Sequence, residues 1–233
     1  MARDDSSGTL DLVPPAEFSW GRYRSATLAG LTPVIPVPFL DDAVEWALAR
    51  RVPAEVAASR SLELDRGAAG VLNASGRTWS QRAGGCLMAP VWFVIKLPLK
   101  LFRKVLIFLL VRAVANKLAE HWTRAYLIDV ALRRGDLADA ASAQRSAELI
   151  RHLVGEADEP LVQAGKEVFK QLKKLPLVGT LRRVRQHDER PDDEQRVQQA
   201  GDEVAGRWNR IAVQLEDVGR RYVELQAAAD KPA

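Results

Sequence analysis

Lys96, Lys100 and Lys104 recur every four residues, Arg103 precedes the last of them, and Arg112 follows about two turns on. These cations lie inside GCLMAPVWFVIKLPLKLFRKVLIFLLVRAVA, residues 85–115. In a helix, positions i, i+4 and i+8 share a face, so Lys96, Lys100 and Lys104 form one stripe with Arg103 beside them. Trp92, Phe93, Leu97, Leu101, Val105, Leu106, Phe108 and Leu109 take most of the remaining circumference. Such a segment attracts anionic headgroups with one face and buries apolar surface with the rest. It is too basic for a membrane span, which needs ~20 predominantly apolar residues and is penalised by roughly 2.5–3.5 kcal/mol per central Lys or Arg. Two physical states fit it. One is a helix lying in the lipid headgroup region; the other is a core helix whose lysines reach water along their apolar stems. The expected lipid-binding residues are Trp92, Phe93, Lys96, Leu97, Lys100, Arg103, Lys104 and Arg112.

A second basic patch, Lys166, Lys170, Lys173, Lys174, Arg182, Arg183 and Arg185, is opposed within its span by Glu167 alone. A charge run of this kind is commonly a solvated face; its functional alternative is a surface for phosphate-bearing partners. The strip KLPLKLFRKV at 96–105 is echoed by KLPLVGTLRRV at 174–184. Chance explains this better than duplication, but the chemistry is shared: a proline-bent apolar strip followed by cations. Nucleic acid is the competing anionic partner. Its recognition draws on Ser, Thr, Asn, Gln and Gly near the cations, whereas here the cations alternate with Leu, Phe, Val and Ile.

No other side chains carry a catalytic pattern. His121, His152 and His187 are far apart, and Glu148, His152 and Glu156 line one helix face as an exposed charged set rather than a metal site. His121, beside Glu120 and Trp122, is expected half-buried. Cys86 has no histidine near it in sequence and reads as an inert buried thiol. Phosphate-binding, dinucleotide-binding and nucleophile-elbow motifs are absent from the sequence, which counts against an enzyme without abolishing the possibility. No catalytic residue, cofactor or metal is expected.

The chain of 233 residues carries 34 Lys and Arg against 30 Asp and Glu, so its net charge is modest while its charge distribution is not. Cations gather in 96–117 and 166–185; acidic residues gather at the N-terminus, in 41–65 and after Asp188. That asymmetry favours docking on an anionic surface. One cysteine excludes a disulfide framework, and the polar, acidic start is unlike a secretory signal. The expected location is the cytoplasm, at the inner face of a membrane.

These side chains need elements to position them. Residues 1–18 read as a disordered or loosely attached tail, 19–186 as a helical domain with the basic-apolar membrane-docking segment, and 187–233 as a C-terminal amphipathic helix packing on the bundle or mediating assembly. Pro33, Pro36 and Pro38 make 31–40 an extended apolar strip, packed beside the docking segment 91–112. Asp41 and Asp42 start a helix to about Ser59, kinked at Pro53. Glycines make 66–86 a loop or broken helices. A helix through the docking segment continues to Arg134, stops at Gly135 and gives way to one capped by Asp136. Pro160 opens a helix closed by Pro176 and Gly179. Over Asp192 to Ala229, Val197, Val204, Ile211, Val218 and Leu225 recur every seven residues. Gly201, Trp208, Leu215, Tyr222 and Ala229 follow each by four, so one long helix presents an a/d seam. Trp208 is expected in the core; Trp20, Trp79 and Trp92 are the interface candidates.

The fold expected is all-α: a multi-helix bundle with a long apolar-basic central helix and a long amphipathic C-terminal helix. The function expected is non-enzymatic, peripheral membrane association on anionic lipid through the basic amphipathic helix. The alternative is a soluble interaction or scaffold protein. Its apolar surface would be closed in a homo-oligomer, through the C-terminal helix, or by a protein partner.

Overall fold

The computed structural model describes residues 13–35, 40–75, 99–156, 159–175, 180, 183 and 191–229, with backbone alone at 40, 75 and 99–106. It is all-helical, with no strand among the described residues. In chain order the helices are α1 (Trp20–Gly30), a 3-10 turn (Thr32–Val34), α2 (Leu40–Ala49), α3 (Val52–Ala58), α4 (Arg66–Ser75), α5 (Leu99–Arg134), α6 (Ala140–Gly155), α7 (Glu159–Leu172), α8 (Pro191–Ala205) and α9 (Trp208–Ala229).

α5 is the axis of the bundle. Its 36 residues make a rod about 54 Å long at ~1.5 Å rise per residue. From Val114 to Ala131 nearly every apolar residue on it is buried, on all sides, because α1, α3, α6, α7 and α9 pack around it. Two glycines let neighbours approach its backbone directly. A Cβ on Gly30 would stand 2.8 Å from the Leu118 Cα, and one on Gly165 would stand 2.8 Å from the Ala115 carbonyl oxygen. Gly135, at φ +78°, ends the rod as expected, in a conformation that favours glycine.

Several boundaries differ from expectation. The helix begun by Asp41 and Asp42 breaks at Arg50 and Arg51 rather than kinking at Pro53, which sits in the first turn of α3. Proline is tolerated there, but its ring clashes with the carbonyl four residues back, at the last residue of α2. Within 66–86, expected as a loop or broken helices, residues 66–75 take the helical alternative: Ala68 and Leu72 are buried one turn apart, and Asp65 accepts the Ala68 amide at 3.0 Å. α6 is capped by Asp139, not Asp136. The Asp139 carboxylate accepts the amides of Ala141 and Ser142 at 2.8 Å each, and the Ser142 hydroxyl accepts the Asp139 amide. Asp136 instead accepts from Arg134 Nε and the Tyr222 hydroxyl. The α7 helix ends at Leu172, with a turn after it. The single C-terminal helix is two, separated at Gly206 and Arg207.

The seven-residue register nevertheless survives that break. Val197, Val204, Ile211 and Val218 are buried, as are Gly201, Trp208, Leu215 and Tyr222; Leu225 and Ala229 are exposed. The seam faces α5, α6 and α7 of the same chain, so it is filled within the bundle. Residues 13–18, expected in a loose tail, are held against this seam. Tyr126 donates its hydroxyl to the Pro14 carbonyl at 2.6 Å, the Ala16 amide donates to Glu216, and Trp208 Nε1 donates to the Ala16 carbonyl. Phe18, Tyr23, Trp122 and Trp208 stack into one aromatic knot, with Tyr23 and Trp208 centroids 4.4 Å apart.

Candidate functional site

The central apolar-basic segment meets the bundle part-way along. Trp92, Phe93, Lys96 and Leu97 lie outside the described residues, as do Trp79, Cys86 and 36–39 of the proline strip. Lys100, Arg103 and Lys104 fall on the first turns of α5, for which the backbone is described. Arg112 is exposed. Between them stand three consecutive large apolar residues in contact with water: Ile107, Phe108 and Leu109 are 51%, 64% and 49% exposed. Among the residues of α5 whose side chains are described, Leu110 and Val111 are the first to pack against the core. Consecutive helical residues point about 100° apart, so exposure of three in a row means that the rod has left the bundle on most of its circumference. Large apolar side chains gathered in one exposed patch mark contact surfaces more often than lone ones do. Sequence reasoning missed Ile107, and counted Phe108 and Leu109 as helix lining rather than as contact residues. Their apolar character was legible; their exposure depends on where the neighbouring helices stop.

The described residues of the second patch are divided between solvent and internal partners. Lys170, Lys173 and Lys174 are exposed. Lys166 is half-buried and bridges to Glu159 at 3.1 Å. Arg183 turns inward: its Nε and Nη2 grip the buried Asp193 carboxylate at 2.6 and 2.5 Å, and Thr180 and Arg196 add to the same carboxylate. A planar guanidinium bonded this way is committed to holding α8 and is not a solvent-facing cation. Arg182 and Arg185 lie outside the described residues. Lys170 also borders an open, polar groove of about 570 Å³ between α7 and the α8–α9 turn, with Glu167, Arg207, Asn209 and Arg210. Arg210 is bonded to Glu167 at 2.6 Å and Arg207 to Glu203 at 2.9 Å, so carboxylates already engage two of its cations.

Two internal charge clusters were not foreseen. His121, expected half-buried, is 3% exposed. Its Nε2 stands 3.2 Å from Glu45 Oε1, which also accepts Lys117 Nζ at 2.7 Å. A carboxylate can only accept, so Nε2 carries the proton. Burial pushes the imidazole below its ordinary range. Glu120, one residue away, is pushed up to about 8 by burial, against the pull of Lys117 and with a smaller push from Glu45. Elsewhere Asp129, fully buried, accepts from Arg60 Nε and Nη2 at 2.9 Å each and forms ion pairs with Arg22 at 3.2 Å and Arg133 at 3.5 Å. These clusters tie α2, α1 and the end of α3 to α5. Glu148, His152 and Glu156 sit on the exposed side of α6 and the turn after it, with His152 and Glu156 paired at 3.4 Å. Among the described residues no group of His, Cys, Asp or Glu is arranged to hold a metal. Trp20, an interface candidate by sequence, lies half-buried against Gly201, where an added Cβ would meet its ring at 2.7 Å.

Among the described residues no helix is long and apolar enough to cross a membrane. No family model, curated protein or solved structure matches this chain.

Proposed function

We propose that this protein associates peripherally with a membrane, docking on anionic lipid through the basic, apolar N-terminal part of α5, and that it works without enzymatic chemistry. One observation carries the reading: Ile107, Phe108 and Leu109 stand in water on a helix that also carries Lys100, Arg103, Lys104 and the exposed Arg112. A headgroup region accommodates both components, with apolar side chains at the acyl boundary and cations at the phosphates. Each cation near an anionic leaflet contributes on the order of 1 kcal/mol, so the cluster can hold the protein without a covalent anchor. In this reading the chain acts from the cytoplasmic side, where anionic lipid is concentrated.

Co-sedimentation with vesicles tests it. Binding is expected to phosphatidylserine-containing vesicles and not to pure phosphatidylcholine, and to weaken as salt screens the charges. Replacing Lys96, Lys100, Arg103 and Lys104 together with Gln should lower partitioning at least tenfold. Unchanged binding in that variant rejects the mechanism. A discrete oligomer with no vesicle affinity would instead support the alternative, in which a second copy or a protein partner closes the same apolar surface.

A further inference from the structure

Three guanidinium groups converge on one oxygen of the buried Asp129. Arg60 Nη2 donates to Oδ2 at 2.9 Å while its Nε donates to Oδ1, and Arg22 Nη1 and Arg133 Nε stand 3.2 and 3.5 Å from the same Oδ2. These three nitrogens lie within about 7 Å of one another, where like charges repel strongly if water is scarce. Each comes from a different element. Arg22 lies on α1 and Arg133 on the last turn of α5, whereas Arg60 is delivered by the turn after α3. That turn is closed by the Leu62 amide, which donates to the Ala57 carbonyl at 3.0 Å, with Ser61 in the left-handed region at φ +54°.

Negative charge and acceptors are both in deficit at this point. Among the described residues Asp129 is the only carboxylate paired with these arginines, so three positive charges meet one negative. The nearby Asp136 is already matched to Arg134. The carbonyls at the end of α5 offset only part of the surplus. Arg22, 3% exposed, directs its other bonds to the Glu17 carbonyl and the Ser59 hydroxyl. Arg60 Nη1 and the two Nη groups of Arg133 have no acceptor among the described residues, and both side chains reach solvent. The hydroxyl of Tyr23, fully buried beside Arg22 and Asp129, likewise finds no acceptor, and burial keeps it protonated.

We propose that the mouth of this cluster binds a soluble, phosphate-bearing small molecule, with its phosphate held by Arg60 and Arg133 on the solvent side of Asp129. Guanidinium forks match phosphate oxygens. A phosphate group carries about −1.5 to −2 charges at pH 7, which answers a surplus larger than one charge better than a carboxylate does. Asp129 lies roughly 30 Å along α5 from Phe108, so this site is separate from the lipid-docking patch and does not rest on the membrane reading.

Calorimetric titration of the full chain with inorganic phosphate and with pyrophosphate, at ionic strength held constant with sodium chloride, tests it. One anion is expected to bind per chain. Arg133→Gln should weaken that binding by about tenfold, as loss of a charged hydrogen-bonding partner implies. Arg151→Gln, which removes an exposed arginine from α6, should leave it unchanged. Arg22 and Arg60 still hold Asp129 in the Arg133 variant, so its circular dichroism and Tm should stay near those of the parent. If it does not fold, Arg133→Lys, which keeps the charge and loses the fork, should still bind phosphate more weakly than the parent. No binding of either anion at millimolar concentration, or equal affinity in the parent and the Arg133 variants, overturns the proposal. Binding to phosphatidic acid vesicles that depends on Arg133, without binding of the soluble anions, overturns the soluble ligand and assigns the site to a lipid headgroup.

Discussion

Glu45, Asp129 and Glu120 are carboxylates brought largely out of water on or against the same rod, and their partners give them different electrostatic fates. Asp129 meets three arginines, one of them in bidentate geometry, and Glu45 meets Lys117 and His121. Among the described residues Glu120 meets Lys117 at 3.9 Å, and its Oε2 lacks a hydrogen-bond partner. Burial accordingly raises its carboxyl to about 8, from an ordinary 4.5. A group whose folded value is raised adds stability below its unfolded value and loses it as pH climbs through the folded one. His121 works in the opposite sense. Its folded value is depressed, so its contribution is lost only as pH falls below about 6.5. Between pH 6.5 and 8, Glu120 should therefore dominate the slope. Urea unfolding is expected to show stability falling by on the order of 2 kcal/mol across that window, with the slope removed in Glu120→Gln. The same slope in both proteins would contradict the buried, unpaired placement of this carboxyl. The pairings between elements were not visible in the sequence, unlike the local helix pairs Lys117–Glu120 and Asp129–Arg133. Glu45 and His121 are 76 residues apart, and only the packing of α2 on α5 makes them neighbours.

At the scale of elements, local chemistry announced the presence of most helices and misjudged where several of them end. Proline and glycine act through distinct physics, and the differences show it. Pro53 stops the helix four residues before itself rather than bending it at its own position. Gly206 interrupts a pattern that is otherwise helical from Pro191 to Ala229, whereas Gly67 and Gly70 are absorbed into α4 because Ala68 and Leu72 are buried in its interface. Glycines inside helices divide the same way. Gly165→Ala should destabilise the protein by about 1–3 kcal/mol, because the added methyl meets the Ala115 carbonyl of an already packed rod. Gly70→Ala, with open space around its Cβ, should be neutral or stabilising by up to about 1 kcal/mol. Thermal melts of the two variants compare them directly. Equal shifts in Tm would mean that α7 does not press on α5 as the structure describes.

At the scale of the molecule, one hydrophobic cluster runs from Ala16 through α5 to Val223, and the C-terminal helices contribute to it rather than forming a separate layer. Trp208, expected in the core, packs against Phe18, Tyr23 and Trp122. Tryptophan fluorescence and far-UV circular dichroism should therefore report a single coincident unfolding transition. Two separated transitions would show the C-terminal helices unfolding on their own.

The helical class, the seven-residue seam and the cation spacing of 96–112 all follow from residue order, because helical periodicity converts spacing along the chain into faces without reference to anything distant. Which faces are covered does not follow from it. Gly201 and Trp208 at adjacent seam positions already favour an intramolecular bundle over a free coiled coil, but only the structure shows that α5, α6 and α7 are the elements that fill the seam of α8 and α9. Likewise residue order in 85–115 does not say which of its faces are covered; within the described part, Ile107, Phe108 and Leu109 stand in water while Val114 and Leu118 are enclosed. Burial is a property of partners far away in sequence, and for this chain the assembled bundle alone supplies them.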